Sequence, residues 1–146
     1  MDIDTRPPPD PRAAAYAGVI AAARRRAFAW GVHDCCTFAA DCVHALTGRD
    51  ALLALPAWRT QDEAQALIAS LGGLRQAVTG ALGVAPVEPG FAATGDVVLA
   101  VDPFDLQLRE ILAVAHGGEL LAPGLRGLAV LPRDAALCCW KVAAHG

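Results

Sequence analysis

Phe28-Ala29-Trp30-Gly31-Val32-His33-Asp34-Cys35-Cys36-Thr37-Phe38 leads into a helix-like run that ends at Leu46. An aromatic-glycine segment is followed by an Asp-Cys pair, with Asp34 placed to cap the helix that starts at Cys35. The N-terminus of a helix carries positive potential, which favours a thiolate over a thiol. The stretch therefore predicts a nucleophilic cysteine at a helix start. A second reading stays open, in which Cys35 is a small buried apolar side chain, a common role for free cysteine.

On either side of it the chain divides by period. Residues 1–11 hold Pro7, Pro8, Pro9 and Pro11 and read as an extended arm, leaving 12–146 as one domain. Arg12 to about Ala27 is Ala-rich with Tyr16, Val19, Ile20 and Ala23 at helical spacing. After the cysteine helix, with Cys35, Phe38, Cys42, Ala45 and Leu46 as its inward stripe, Pro56 bars a long helix. Thr60 with Glu63 opens a helix through Leu71, and Leu74 to Leu82 forms another, closed by Gly83. Beyond Pro86 the period becomes that of strands: Val97–Val101, Leu106–Ala115, Glu119–Ala122, Gly127–Leu131 and Cys138–Ala143. Helices first and an antiparallel meander after predict an α+β fold with about five strands.

Composition narrows the function. The 146 residues are 55% hydrophobic but only 5% aromatic, so Ala, Leu and Val must fill the core. A net charge of −3 without a long basic run argues against nucleic acid as a partner, and Arg24-Arg25-Arg26 reads as a helix end suited to the dipole. The apolar run from Ala13 to Ala23 is too short to span a membrane. Asp2 and Asp4 ahead of three prolines do not read as a signal peptide, and five cysteines do not read as a disulfide framework. Together these predict a protein made in the cytoplasm with free thiols. Without a Cys-x-x-Cys pair, neither a metal nor another cofactor is expected.

Phe28-Ala29-Trp30-Gly31 followed by Asp34-Cys35 and Phe38 resembles the nucleophile motif of the NlpC-type cell-wall cysteine peptidases. Gly95-Asp96-Val97-Val98-Leu99 is similar to the Gly-Asp strand start that follows in that family. The resemblance spans roughly residues 13–143 and implies a papain-like fold with the cysteine helix packed on an antiparallel sheet. Gly127-Leu128-Ala129-Val130-Leu131-Pro132 and Trp140-Lys141-Val142 resemble the ending of small NlpC-like tail proteins of bacteriophages and phage-like particles. That implies a bacterial setting, assembly into a virion tail tip or baseplate, other tail proteins as partners, and peptidoglycan as a further one.

The family's catalytic partners are replaced. Its strand histidine aligns with Ile111, its third polar residue falls near Leu121 or Ala122, and the tyrosine before its Trp-Gly is Phe28. His116 is the one histidine on the predicted sheet and the candidate for a displaced base. His44 lies about 180° around the helix from Cys35, His33 is held by the motif's backbone, and His145 is in the tail. Two functions follow from the resemblance. One is a tail component with a degenerate site and a structural or assembly role. The alternative is an active peptidase that cleaves peptidoglycan stem peptides, with Cys35 as nucleophile and His116 as base.

Overall fold

A computed structural model describes residues 10–142. The chain is α+β: four helices precede a five-stranded antiparallel sheet. Of the Pro-rich arm, Asp10 and Pro11 fall within the described residues, and both belong to the first helix. Asp10 is its N-cap, and Pro11, which needs no N–H partner at a first position, opens α1 (Pro11–Ala23). The helix stops short of Ala27. Arg25 and Arg26 donate to Ala22 and Ala23, three residues back, so the last turn tightens and unwinds through the arginines.

The cysteine helix α2 (Cys35–Thr47) begins at the predicted residue and ends on Gly48 in the left-handed conformation. Its buried side chains are Thr37, Phe38, Ala39, Cys42 and Val43. α3 (Gln61–Ser70) is capped by Thr60, whose hydroxyl accepts from the Glu63 amide. Glu63 reaches back to the Arg59 amide rather than to Thr60. α4 (Leu74–Leu82) follows after Gly72-Gly73, and Arg49 donates to the carbonyls of Ala81 and Leu82 at its C-terminus.

The strands are β1 (Val97–Val101), β2 (Glu110–His116), β3 (Glu119–Gly124), β4 (Gly127–Leu131) and β5 (Ala136–Trp140), in the order β4-β3-β2-β1-β5. Several boundaries differ from expectation, among them the end of β2 at His116 and of β5 at Trp140. β2 starts at Glu110 because Leu106 and Leu108 are exposed in a turn built on Asp102 and Asp105, whose carboxylates accept from Phe104 and Gln107 amides. β3 runs on to Gly124. β5 starts two residues early because a bulge opposite Leu99 and Ala100 lets Ala136 pair with Ala100; Ala143 lies outside the described residues.

Alternation along the strands sends residues to two faces. Val97, Leu99, Leu112, Val114, Leu121, Cys138 and Trp140 meet Tyr16, Ile20, Phe38, Cys42, Val78 and Leu82 from the helices. Trp140 fixes α4 to the sheet, its indole donating to Thr79 Oγ1 at 3.0 Å. The opposite face carries mostly small residues, Val98, Ala100, Ala113, Ala115 and Ala122 with Leu120 and Leu131, closed by Ala92 and Ala135. Just before β1, buried Asp96 binds Lys141 Nζ and the Ala93 amide, tying the start of β1 to the residue after β5. Lys141 also donates to the Phe91 carbonyl.

Two glycines test this packing in opposite directions. Gly31 has φ +75°, and a Cβ there would lie 1.8 Å from the Trp58 carbonyl oxygen. Gly18 sits mid-helix in α1 with nothing within 4 Å of its Cβ position. Gly31→Ala is expected to destabilise by roughly 2–4 kcal/mol in urea unfolding, whereas Gly18→Ala is expected to stabilise by about 0.5–1 kcal/mol.

Candidate functional site

The site grows out of the cap of α2. Asp34 is 1% exposed, and its carboxylate is fully engaged. Oδ1 accepts from the Thr37 amide at 2.9 Å, and the Thr37 hydroxyl accepts from the Asp34 amide at 2.8 Å, a reciprocal capping box. Oδ2 accepts from the Gly31 amide at 2.8 Å and from Trp58 Nε1 at 2.7 Å. One carboxylate thus joins the Trp-Gly turn, the helix start and the segment before α3. Phe28 and Trp30 pack edge to face at 4.8 Å on the turn.

Cys35 and Cys36 occupy the first two helical positions and are half-buried. The Cys35 thiol is held below the usual cysteine range, chiefly by a hydrogen bond from the Cys36 thiol, with help from the Leu112 backbone and against burial and the Asp34 charge. The same bond pushes Cys36 well up. The remaining cysteines are buried, and burial raises all three, Cys42 to about 12. They are core thiols.

Sheet geometry explains why the Leu112 amide reaches a sulfur. Ala115 exchanges both backbone hydrogen bonds with the β1 side, through Gly95 and Asp96, so Leu112 and Val114 direct theirs towards β3. Pairing of β2 with β3 covers Val114↔Leu121, Ala115↔Leu120 and His116↔Glu119 and goes no further. The position that would face Leu112 is Pro123, beyond the last paired residues of β2 and β3. The open ladder position next to the first turn of α2 is filled by Cys35.

This register corrects the alignment made from sequence. Ile111, expected in the place of a strand histidine, packs with the small-residue cluster on the face away from α2. Leu112 is the β2 residue beside Cys35, and it too is apolar. Leu121 joins the helix-side core and Ala122 the other face.

His116 stands on the helix side of β2, four residues beyond Leu112, or about 13 Å along the strand. Its Nδ1 lies 2.9 Å from the Tyr16 hydroxyl of α1. Burial raises the Tyr16 hydroxyl far above its ordinary range, so that group keeps its proton, and the direction of its hydrogen bond with Nδ1 follows the ring's tautomer. Cys35 and His116 are not brought together. His33 is 1% exposed with its ring against Phe38, and neither ring nitrogen has a hydrogen-bond partner. Burial lowers its pKa, so the ring stays neutral. His44 is exposed in the last turn of α2, and His145 lies outside the described residues. Among the described residues no group of three His, Cys, Asp or Glu side chains is arranged to hold a metal ion. Nor is any of their helices long and apolar enough to cross a membrane.

Two elements of the site escaped sequence reasoning. The Trp58 anchor lies 24 residues from Asp34 and leaves no local signal. The thiol–thiol bond had one in the adjacency of Cys35 and Cys36.

The chain belongs to a protein family described as a domain of unknown function (DUF6950), whose model matches residues 10–142. No curated protein and no solved structure matches it.

Asp34→Ala is expected to cost roughly 2–4 kcal/mol in denaturant unfolding, because it removes a cap and strands the buried Trp58 indole. Alkylation of Cys35 by iodoacetamide should reach half its maximal rate below the ordinary cysteine value of about 8.5. The midpoint should rise in Cys36→Ala; an unchanged midpoint would show that the neighbouring thiol does not set it.

Proposed function

We propose that the chain is a tail-tip or baseplate component of a bacteriophage or phage-like particle, built on a papain-like NlpC-type fold and no longer a peptidase. The order of elements supports the fold: helices first, then a cysteine on the first turn of a helix lying against an inner strand of an antiparallel sheet. The observation that carries the loss of activity is the set of partners around Cys35. They are the Cys36 thiol and the Leu112 backbone, while the imidazole of His116 is engaged by Tyr16.

Amide hydrolysis needs more than a thiolate. The departing amine must receive a proton, the task of the general acid in a cysteine peptidase. A Cys36 thiol whose pKa is pushed far up is a poor acid for that purpose. On this reading the protein is made in the bacterial cytoplasm and incorporated into the tail, where its contacts are with other tail proteins. The peptidase alternative keeps one supporting observation, the lowered pKa of Cys35.

Two measurements separate the readings. Particles purified from cells that produce the full chain should contain it in fixed copy number; a protein absent from assembled tails would reject the assembly role. Purified peptidoglycan should be released at the same background rate by wild type and Cys35→Ala. Turnover by wild type that is lost in Cys35→Ala would restore the peptidase.

A further inference from the structure

Val32 and His33 sit against their polarity. The apolar Val32 is 61% exposed, whereas His33 beside it is 1% exposed. Both belong to the turn that leads into α2, in which Ala29 and His33 exchange backbone hydrogen bonds and Val32 donates to the Ala29 carbonyl. Counted from the Asp34 cap, His33 is the residue just outside the helix and Phe38 is its fourth residue. In many helices an apolar pair at these two places pins the entering chain, a hydrophobic staple beside the capping box. Here the Phe38 ring meets an imidazole, edge to face with centroids 6.2 Å apart.

The seat accepts one protonation state. Neither ring nitrogen of His33 has a hydrogen-bond partner. The neutral ring already leaves a donor and an acceptor unpaired there, and an imidazolium would add the larger cost of an unpaired charge away from water. Burial is the main force that holds the seated ring neutral; Arg26 adds to it, and Asp41 and Asp34 oppose it. Arg26 comes from the segment after α1 and also donates to the Val32 carbonyl at 3.4 Å. From the segment before α3, Arg59 borders Gly31. Asp34 is committed to the Gly31 and Thr37 amides and the Trp58 indole. Asp41, exposed and three residues along the helix from Phe38, is the carboxylate placed to receive a charged ring.

We propose that the His33–Phe38 staple is an acid-operated latch on the start of α2: protonation sends the imidazole out towards the Asp41 carboxylate, and the 29–33 turn opens. The exchange also lets Val32 leave water. Because Asp34 follows His33 directly, opening loosens the cap and uncovers the first turn of α2, with the half-buried Cys35 and Cys36. The direction with pH follows from which state binds the proton. An open turn gives His33 its ordinary affinity, near pH 6.5, while the buried seat takes the proton only at lower pH. The turn is therefore closed above about pH 6.5 and is released as the pH falls below it.

The latch does not depend on assembly into a particle, and its test involves neither tails nor peptidoglycan. Hydrogen–deuterium exchange of the full chain is read by mass spectrometry on peptides covering residues 28–38, corrected for the intrinsic pH dependence of amide exchange. Peptides from β1 serve as the internal reference. Between about pH 7.5 and about pH 5 the opening constant should rise by up to roughly thirtyfold, approaching tenfold per pH unit below 6.5. His33→Leu, which supplies an ordinary apolar staple, should stay protected at both pH values, and Asp41→Asn should reduce the rise. In the wild type, the His33 ring protons should titrate below about pH 6.5 by NMR, a readout that stands even if a variant fails to fold. No rise at low pH, an equal rise in wild type and His33→Leu, an undiminished rise in Asp41→Asn, or a His33 ring that titrates at or above its ordinary value would overturn the proposal.

Discussion

The Asp34 carboxylate is the interaction on which the arrangement depends. It is buried, and its two oxygens accept from the amides of Gly31 and Thr37 and from the Trp58 indole. A buried carboxylate with fewer partners would be a large liability, since an uncompensated charge away from water costs several kcal/mol. Full engagement turns that cost into geometry. The turn before α2, the first turn of α2 and the segment leading to α3 are held at one point, and the position of both sulfurs follows from it. Gly31 fits the same logic: the Trp58 carbonyl occupies the space a side chain would need.

Much of this was legible in the sequence because it is local. Asp34 ahead of Cys35 signals a cap, Gly83 signals a helix end, and Gly95-Asp96 ahead of an apolar run signals a buried strand; each stands where expected. What was not legible is long-range or depends on register. Trp58 reaches Asp34 across an irregular segment, and Lys141 reaches Asp96 across 45 residues. Leu106 and Leu108 look like strand residues in one dimension, yet two Asx turns expose them. A shift of one residue in strand register moves every side chain to the other face. That is why Ile111 was expected at the cysteine and Leu112 is found there.

Placing Leu112 rather than a polar residue beside Cys35 has an electrostatic consequence. A thiol can be ionised by proton transfer to an ion-pair partner, or by hydrogen bonds that stabilise its anion. The first device yields an imidazolium that can later return its proton to a leaving group. The second yields a thiolate alone. Here the Cys36 thiol, the Leu112 backbone and the start of α2 provide the second device.

The two devices sort reactions by leaving group. A thiolate without an acid can displace groups that depart as stable anions, and it stalls where the departing atom must be protonated as the bond breaks. The open ladder position opposite Pro123 is therefore more than a packing detail. It frees an inner-strand amide for the sulfur, at the place where a histidine-dependent site would need a base. Replacing Leu112 with a histidine would supply the ring but not the proton path. The Cys36 thiol would still hold the sulfur, and a hydrocarbon cavity lined by Cys36 and Leu112 would still oppose an imidazolium. Amide chemistry at this site would require changes at Leu112 and Cys36 together, because neither can give a proton back to a leaving group.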